Sequence, residues 1–244
     1  MQTKTQNDVN AQLKPRVVRG RVELIVPYKN NEITFIYPSI GPNRYQEVGK
    51  EILQKKLMVP HGDYTASLLH AAYCSDAKNE PEFENVREIM NKKWLWVFNQ
   101  NLWTDKGVYV VQDMQADGKN QPLSIKNLEK KLKGAQEIDG VRFSDDKTVR
   151  YAPKETYSLG DHSAESFSKD GFVRAIANND GAKKLAEVSQ KFSYNPRTWG
   201  VTIAENSEAE QRVSALNDYG GNRLYLNGDG FGGGDWGHAF GVSS

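Results

Sequence analysis

A single cysteine in 244 residues, Cys74, leaves no intrachain disulfide to be made, so the fold must stand on packing. No apolar run approaches the roughly 20 residues that a membrane-spanning helix needs, and the polar start "MQTKTQNDVNAQLKP" lacks the apolar middle of a signal peptide. Membrane insertion is therefore not expected; the expected place at synthesis is the cytoplasm, with later association with a virion or cell surface left open. An excess of one charge is missing too. Lys plus Arg number 32 against 31 acids, and a net charge of +1 gives no global attraction to phosphate, so nucleic acid is not an expected partner. Also missing are an internal repeat and a Pro- or Ser-rich linker, which points to one domain over 20–244 behind a loose tail, 1–19.

What is present reads as α+β. "RVELIVPYKNNEITFIYP" holds two β-branched and aromatic runs separated by Lys29, Asn30 and Asn31, the pattern of a hairpin. Asn43 and Asp63 are candidate N-caps for helices in "RYQEVGKEILQKKLM" and "YTASLLHAAYCS", and a third helix is expected near "FENVREIMNKK". In "WLWVFNQNLWTDKGVYVVQD", Trp94, Trp96 and Phe98 alternate with Leu95 and Val97, as in a strand buried on both faces. Ser124 precedes "IKNLEKKLKG", with Leu123 and Leu128 at the two positions of a hydrophobic staple. Strands "GVRFS" and "TVRYA", helices near "GFVRAIANN" and "AKKLAEVSQKF", and a strand "TWGVTIA" follow.

Most motif-like features have ordinary explanations. "GDGFGG" fits a dinucleotide fingerprint at Gly228, Gly230 and Gly233, but too little chain follows to supply the helix and acid. As a calcium-binding β-helix repeat it would need stacked copies. Asp113, Gln115, Asp117 and Gly118 echo an EF-hand loop whose last ligand position is Ser124, so a polar turn is the better reading. His61, His70 and Cys74 are far more ordinary as a satisfied core than as a zinc site. Asp161 and His162, as sequence neighbours, point apart, and no nucleophile accompanies them. No catalytic residue, metal ligand or cofactor is expected.

The closing stretch is different. From Asn217 to His238, 18 of 22 residues are Asn, Asp, Tyr, Gly, Phe or His, with Arg223, Leu224, Leu226 and Trp236 as the exceptions. Turn chemistry accounts for Asn, Asp and Gly but not for the aromatic letters or the missing Ser, Thr, Pro and Lys. Asn is encoded by AAC or AAT, and replacing those adenines reaches every member of the set, whereas Lys, Glu, Gln, Met and Trp are out of reach. Of these five only Trp occurs in the window, at Trp236.

This pattern, with Arg223, Leu224, Leu226, Trp236 and "AFGV" as constant letters, resembles the variable proteins of diversity-generating retroelements. In those elements a reverse transcriptase copies a template unfaithfully at adenines into the 3′ end of a gene. "LLHAAYCS" and "LWVFNQNLWTDKGVYVVQD" are similar to archaeal or archaeal-virus members, while "HAFGVSS" departs from the Gly-Phe-Arg ending common in bacterial ones. The resemblance implies a C-type lectin fold: N- and C-terminal strands paired ("VELIVP" beside "HAFGV"), helices on the outside, and much irregular loop. It also implies a variable region at about 213–240. Candidate ligand-binding positions are then Asn217, Asp218, Tyr219, Gly220, Gly221 and Asn222, then Tyr225, Asn227, Gly228, Asp229, Gly230 and Phe231. Gly232, Gly233, Gly234, Asp235, Gly237 and His238 complete the set. Leu224, Leu226, Trp236 and Phe240 would be scaffold anchors.

Physical reasoning agrees with that division. A domain holds only about 5–15 kcal/mol of net stability and a large-to-small core change removes about 2–5, so randomised side chains have to face water. In "RLYLN" the two leucines share one strand face while Tyr225 and Asn227 share the other. The implied partner is a protein or glycan ligand, with several copies supplying avidity. The alternatives are a structural or adhesion protein with a fixed Gly-rich loop, and a formylglycine-generating type of oxidase on the same fold. That oxidase chemistry needs a cysteine pair where only Cys74 exists. Turnover abolished by Cys74→Ser would establish the enzyme; no turnover is the expected result.

Overall fold

The computed structural model describes residues 13–18, 23–234 and 236–243. Strands β1 (Arg16–Val18), β2 (Glu23–Tyr28) and β3 (Asn31–Ile36) pair antiparallel, with Tyr28 opposite Asn31 across a two-residue turn. Alternation turns Leu24, Val26, Ile33 and Phe35 inward. The loose tail expected over 1–19 is corrected at 16–18, which pair with β2; residues 1–12 and 19 lie outside the described residues.

Strand β4 (Ile40–Asn43) leads into helices α1 (Tyr45–Gln54), α2 (Gly62–Cys74) and α3 (Pro81–Lys92). The expected caps are corrected: α1 begins after Arg44 and α2 after His61. The Asn43 side chain accepts only from its neighbour's N–H, and the Asp63 carboxylate is turned inward to an arginine. The chain continues through β5 (Trp94–Thr104), β6 (Gly107–Gln112), α4 (Ile125–Lys131), β7 (Gln136–Ile138), β8 (Val141–Phe143), β9 (Val149–Pro153) and β10 (Gly160–Asp161). After them come α5 (Ala164–Lys169), α6 (Gly171–Ser189), β11 (Arg197–Trp199), β12 (Glu210–Asn217), β13 (Tyr225–Gly230), β14 (Gly237–Ala239) and β15 (Val242–Ser243). A break at Asn178, φ 59°, divides α6 where the sequence predicts two helices. Of the strand expected at "TWGVTIA" only Thr198 and Trp199 are extended, within β11.

The large sheet runs β10-β11-β13-β12-β5-β6-β9-β8-β7, with β14 joining β5 and β4. Its centre is β5, buried on both faces as its alternation requires: Leu95 and Val97 pack with α2, α3 and α6, while Trp96 and Phe98 pack with Tyr45, Val48 and Ile52 of α1. A smaller cluster beneath α4 gathers Leu128 with Leu102, Tyr109 and Val149, and Leu123 packs against it. Not all helices lie outside. Helix α2 contacts both β2 and β5 and is buried along most of its length.

The chain's end returns to its beginning, since β15 pairs with β3, Val242 opposite Phe35. The expected pairing of "VELIVP" with "HAFGV" is thereby corrected by one strand: β1 occupies the outer edge of β2, so the hairpin offers its β3 edge.

One buried polar node ties these layers together. Arg150 of β9, 1% exposed, donates to the carbonyls of Ala175 and Ile176 just before the α6 break, each at 2.9 Å. Its guanidinium also lies 3.8 Å from Asp63, which accepts from Tyr28 Oη and Asn178 Nδ2, each at 2.7 Å. Burial alone would push the Asp63 carboxyl up, but Arg150, His61 and the Tyr28 hydrogen bond bring it below its ordinary value. Burial pushes His61 down to about 4 from 6.5, with Asp63 opposing.

Two outcomes follow from this node. Arg150→Met, which leaves Asp63 buried without its cation, is expected to destabilise by about 3–5 kcal/mol in chemical denaturation. Because His61 takes up a proton more readily in the unfolded chain, its contribution is present above pH 6.5 and is lost as pH falls toward about 4. Stability measured across that window should fall by up to about 3 kcal/mol, and His61→Phe should remove that slope.

Candidate functional site

The closing segment threads through the large sheet instead of lying on top of it. Strand β13 sits between β11 and β12, parallel to the first and antiparallel to the second. Leu224 and Leu226 are fully buried and Phe240 is 1% exposed, so these three expected anchors are in the core. The fourth is corrected: Trp236 is 54% exposed, because β14 starts one residue later and leaves the indole on the rim.

The expectation that the narrow-alphabet letters face water holds at two places. One is the connection between β12 and β13, where Tyr219 (57% exposed), Gly220, Gly221 and Asn222 project. Gly221 N–H donates to the Asp218 carbonyl at 3.0 Å and Gly220 has φ +85°, the third position of a type II turn, which demands glycine or asparagine. The other is the crossing from β13 to β14, where Phe231 (55% exposed), Gly233 and Gly234 project. Added Cβ atoms at Gly233 and Gly234 would meet nothing within 4 Å. The Phe231 ring lies between Lys119 Nζ, 4.7 Å from its centroid, and the Arg212 guanidinium at 4.4 Å. Tyr225, Asp229 and His238 are half-buried, and Asp235 lies outside the described residues.

At seven positions that expectation is corrected. Asn217, Asp218, Asn227, Gly228, Gly230, Gly232 and Gly237 are buried. Asp218 accepts from Tyr73 Oη at 2.6 Å and from Asn91 Nδ2, and burial pushes its carboxyl up. Gly228 has its carbonyl held by Trp103 Nε1 at 2.9 Å and Asn101 Nδ2 at 3.0 Å. A Cβ on Gly228 would stand 2.3 Å from the Phe172 ring, and one on Gly237 would stand 2.6 Å from the Trp94 carbonyl. Gly232 gives its carbonyl to Tyr45 N–H at 3.2 Å. The reasons differ by face: Gly228 is backed by Phe172 on the core side of β13, whereas Asn217 and Asn227 lie on the outer face and are buried there among their row neighbours, so that face is only partly free.

That outer face also holds residues the sequence reading did not single out. Register places Arg197 beside Tyr225 and Tyr225 beside Asn217; the next row is Trp199, Asn227 and Ala215. The Arg197 guanidinium covers the Trp199 ring at 4.3 Å, and Arg223 lies 5.7 Å from the Tyr194 ring and 6.0 Å from that of Tyr225. Both arginines share one carboxylate, Asp161, at 3.3 and 2.7 Å. Trp199 is 41% and Tyr194 59% exposed. The period-2 spacing in "RTW" places Arg197 and Trp199 on one strand face, but nothing local announces that this strand lies beside β13.

Other candidates disperse. His162 turns inward to Thr198 Oγ1 at 2.9 Å, away from Asp161. His70 meets Glu187, and the His61 ring packs on Tyr64. The Asp113 carboxylate closes its turn by accepting from Asp117 and Gly118 N–H. Burial pushes the half-buried Cys74 thiol up. Among the described residues no group of three or more His, Cys, Asp and Glu is placed to hold a metal ion, and no helix is long and apolar enough to cross a membrane.

No protein-family model and no curated protein sequence matches this chain. A solved structure does: it is described as "Accommodation of massive sequence variation in Nanoarchaeota by the C-type lectin fold". It is similar over 84% of this chain and 97% of that one, with a TM-score of 0.50 at 14% identity. The chain is thus an α+β protein of the C-type lectin fold, with its terminal strands joined in one sheet.

Substitution should separate the two kinds of position. Gly228→Ser, forced against Phe172, is expected to lower stability by about 1–3 kcal/mol or more. Gly233→Ser should stay within about 0.5 kcal/mol of the parent, both read from thermal unfolding.

Proposed function

We propose that the chain is a non-enzymatic binding protein whose C-terminal surface is diversified by adenine-directed mutagenic retrohoming, so that one scaffold meets changing ligands. The observation that carries this reading is a coincidence of two independent properties. The letters reachable from Asn codons make up two projecting connections, Tyr219–Asn222 and, apart from the buried Gly232, Phe231–Gly234, while Leu224, Leu226 and Phe240 between and after them are buried. The similar solved structure, described as accommodating massive sequence variation on this fold, supports it further. Tyr219, Tyr225 and Phe231 offer rigid area and Asn222 an adaptable amide, as antibody loops do. The ligand is a protein or glycan on a cell surface. Eight glycines from Gly220 to Gly237 leave this variant little side chain with which to grip it, so several copies acting together would supply avidity.

One observation favours the plainer reading of a fixed adhesion protein: seven of the narrow-alphabet positions are buried. Sequencing the surrounding DNA decides between the two. Under diversification, a near-copy of the 3′ segment lies beside a reverse transcriptase gene, with adenines opposite the codons of Tyr219–Asn222, Tyr225, Phe231, Gly233 and Gly234. Opposite Gly228 and Gly237 the copy should carry glycine codons, because no side chain fits there. Silent and conservative differences spread along the gene, with no adenine-bearing counterpart, would leave the fixed protein.

A further inference from the structure

Among the buried side-chain polar atoms of the described residues that have no hydrogen-bond partner, three share one sheet face: Arg197 Nε, Asn217 Oδ1 and Asn227 Nδ2. Their strands are adjacent, and the rows Arg197–Tyr225–Asn217 and Trp199–Asn227–Ala215 put all three on the side away from Leu216 and Leu226. Asn217 is 3% and Asn227 7% exposed. Proteins rarely leave such groups unpaired, because a buried donor or acceptor forfeits its bonds to water. Here two N–H donors and one acceptor go unused together, between a half-buried tyrosine and an exposed tryptophan.

We propose that this face binds a carboxylate, that of an acidic side chain on a protein partner. Asn227 Nδ2 donates to one carboxylate oxygen and the Arg197 guanidinium to the other. A backbone N–H of the same acidic segment donates to Asn217 Oδ1. Tyr225 and Trp199 flank the group, and the exposed Trp199 side chain turns aside to admit it. Charge favours the ligand: two guanidinium groups, Arg197 and Arg223, converge on the one carboxylate oxygen of Asp161. A protein fits better than a nucleic acid. Trp, Tyr and Arg are the residue types that dominate protein interfaces, while two arginines already sharing Asp161 on a chain of net +1 give a phosphate backbone little to hold. The inference rests on the binding reading above and adds a recognition chemistry in which the scaffold residues Arg197, Arg223 and Trp199 act together with Asn217 and Asn227 of the closing segment. Asp161 becomes an internal competitor for the same guanidinium groups.

The test is an NMR titration of the full ¹⁵N-labelled chain with three probes: acetyl-Gly-Glu-Gly-amide, its Gln counterpart, and a short oligouridylate. The Glu peptide should shift the Trp199 indole and the Asn217 and Asn227 side-chain amide signals, and the Gln peptide should bind about tenfold more weakly. Asn227→Ala should weaken the Glu peptide about fivefold without lowering the melting temperature, since it removes an unpaired group. Asp161→Asn should strengthen it about threefold, a sign that a purely structural role for Asp161 does not give. Equal shifts from Glu and Gln peptides, tighter binding of oligouridylate, or weaker binding in Asp161→Asn would overturn the proposal. Should Asn227→Ala not fold, the sign of the Asp161→Asn effect decides alone. Glu-peptide binding by a chain whose gene has no adenine-bearing counterpart would leave this site standing and remove the diversification reading.

Discussion

The carbonyl of Gly228 carries more of this structure than any side chain in the closing segment. Trp103 and Asn101, both from β5, donate to it, and Phe172 fills the space where a Cβ would be. That arrangement locks β13 to the most buried strand in the sheet and sets the height at which the connections on either side emerge. Leu224 and Leu226 complete the attachment from the core side. A segment with this many small and polar residues would have little reason to adopt one path by itself; it is β5, with Trp96, Phe98 and Trp103 buried, that imposes the path.

How much of this was legible in the sequence depended on range. The β2–β3 hairpin and the double burial of β5 are local facts, carried by period-2 alternation and a two-residue turn, and they were readable. So was the burial of Leu224 and Leu226, which rests on the same alternation. The helix starts were less so: Asn43 and Asp63 are good caps in isolation, yet Asp63 is recruited by Arg150, almost ninety residues away, and no local rule registers that attraction. Long-range pairing also hid the sheet neighbours of β13. Codon chemistry marked a segment, but a codon does not know how closely neighbouring strands will cover its residue, and Asn217, Asn227 and Gly228 turned out to be buried. Trp236 erred in the opposite direction: a residue fixed by the code was assumed to be fixed by packing.

The polar groups divide into two kinds with different consequences. At the Arg150 node, β2, α2, β9 and α6 each contribute a partner: Arg150 is held by the Ala175 and Ile176 carbonyls and by Asp63, whose Oδ2 accepts from Tyr28 and Asn178, while Asp63 Oδ1 and the His61 ring are left without a partner. On the outer face of β11, β12 and β13 the unpartnered atoms, at Arg197, Asn217 and Asn227, lie next to the exposed Trp199. A buried charge pair holds the fold together; unpartnered groups beside an exposed ring are what a ligand can improve. The two lie on opposite sides of the same sheet, so the stability of one does not depend on the occupancy of the other.

The cation pair around Phe231 reaches beyond this one sequence. Lys119 and Arg212 belong to the scaffold, and what they offer to position 231 is positive charge from two directions. An aromatic ring answers with the electrons of its face, and an aspartate would answer with its full charge. Histidine, when neutral, has a ring that serves as well. Such a grip is tolerant by chemistry: Phe, Tyr, His and Asp all satisfy it, and these are four of the six letters in the segment. The scaffold thus has a means of holding position 231 in one place whichever of them it is dealt.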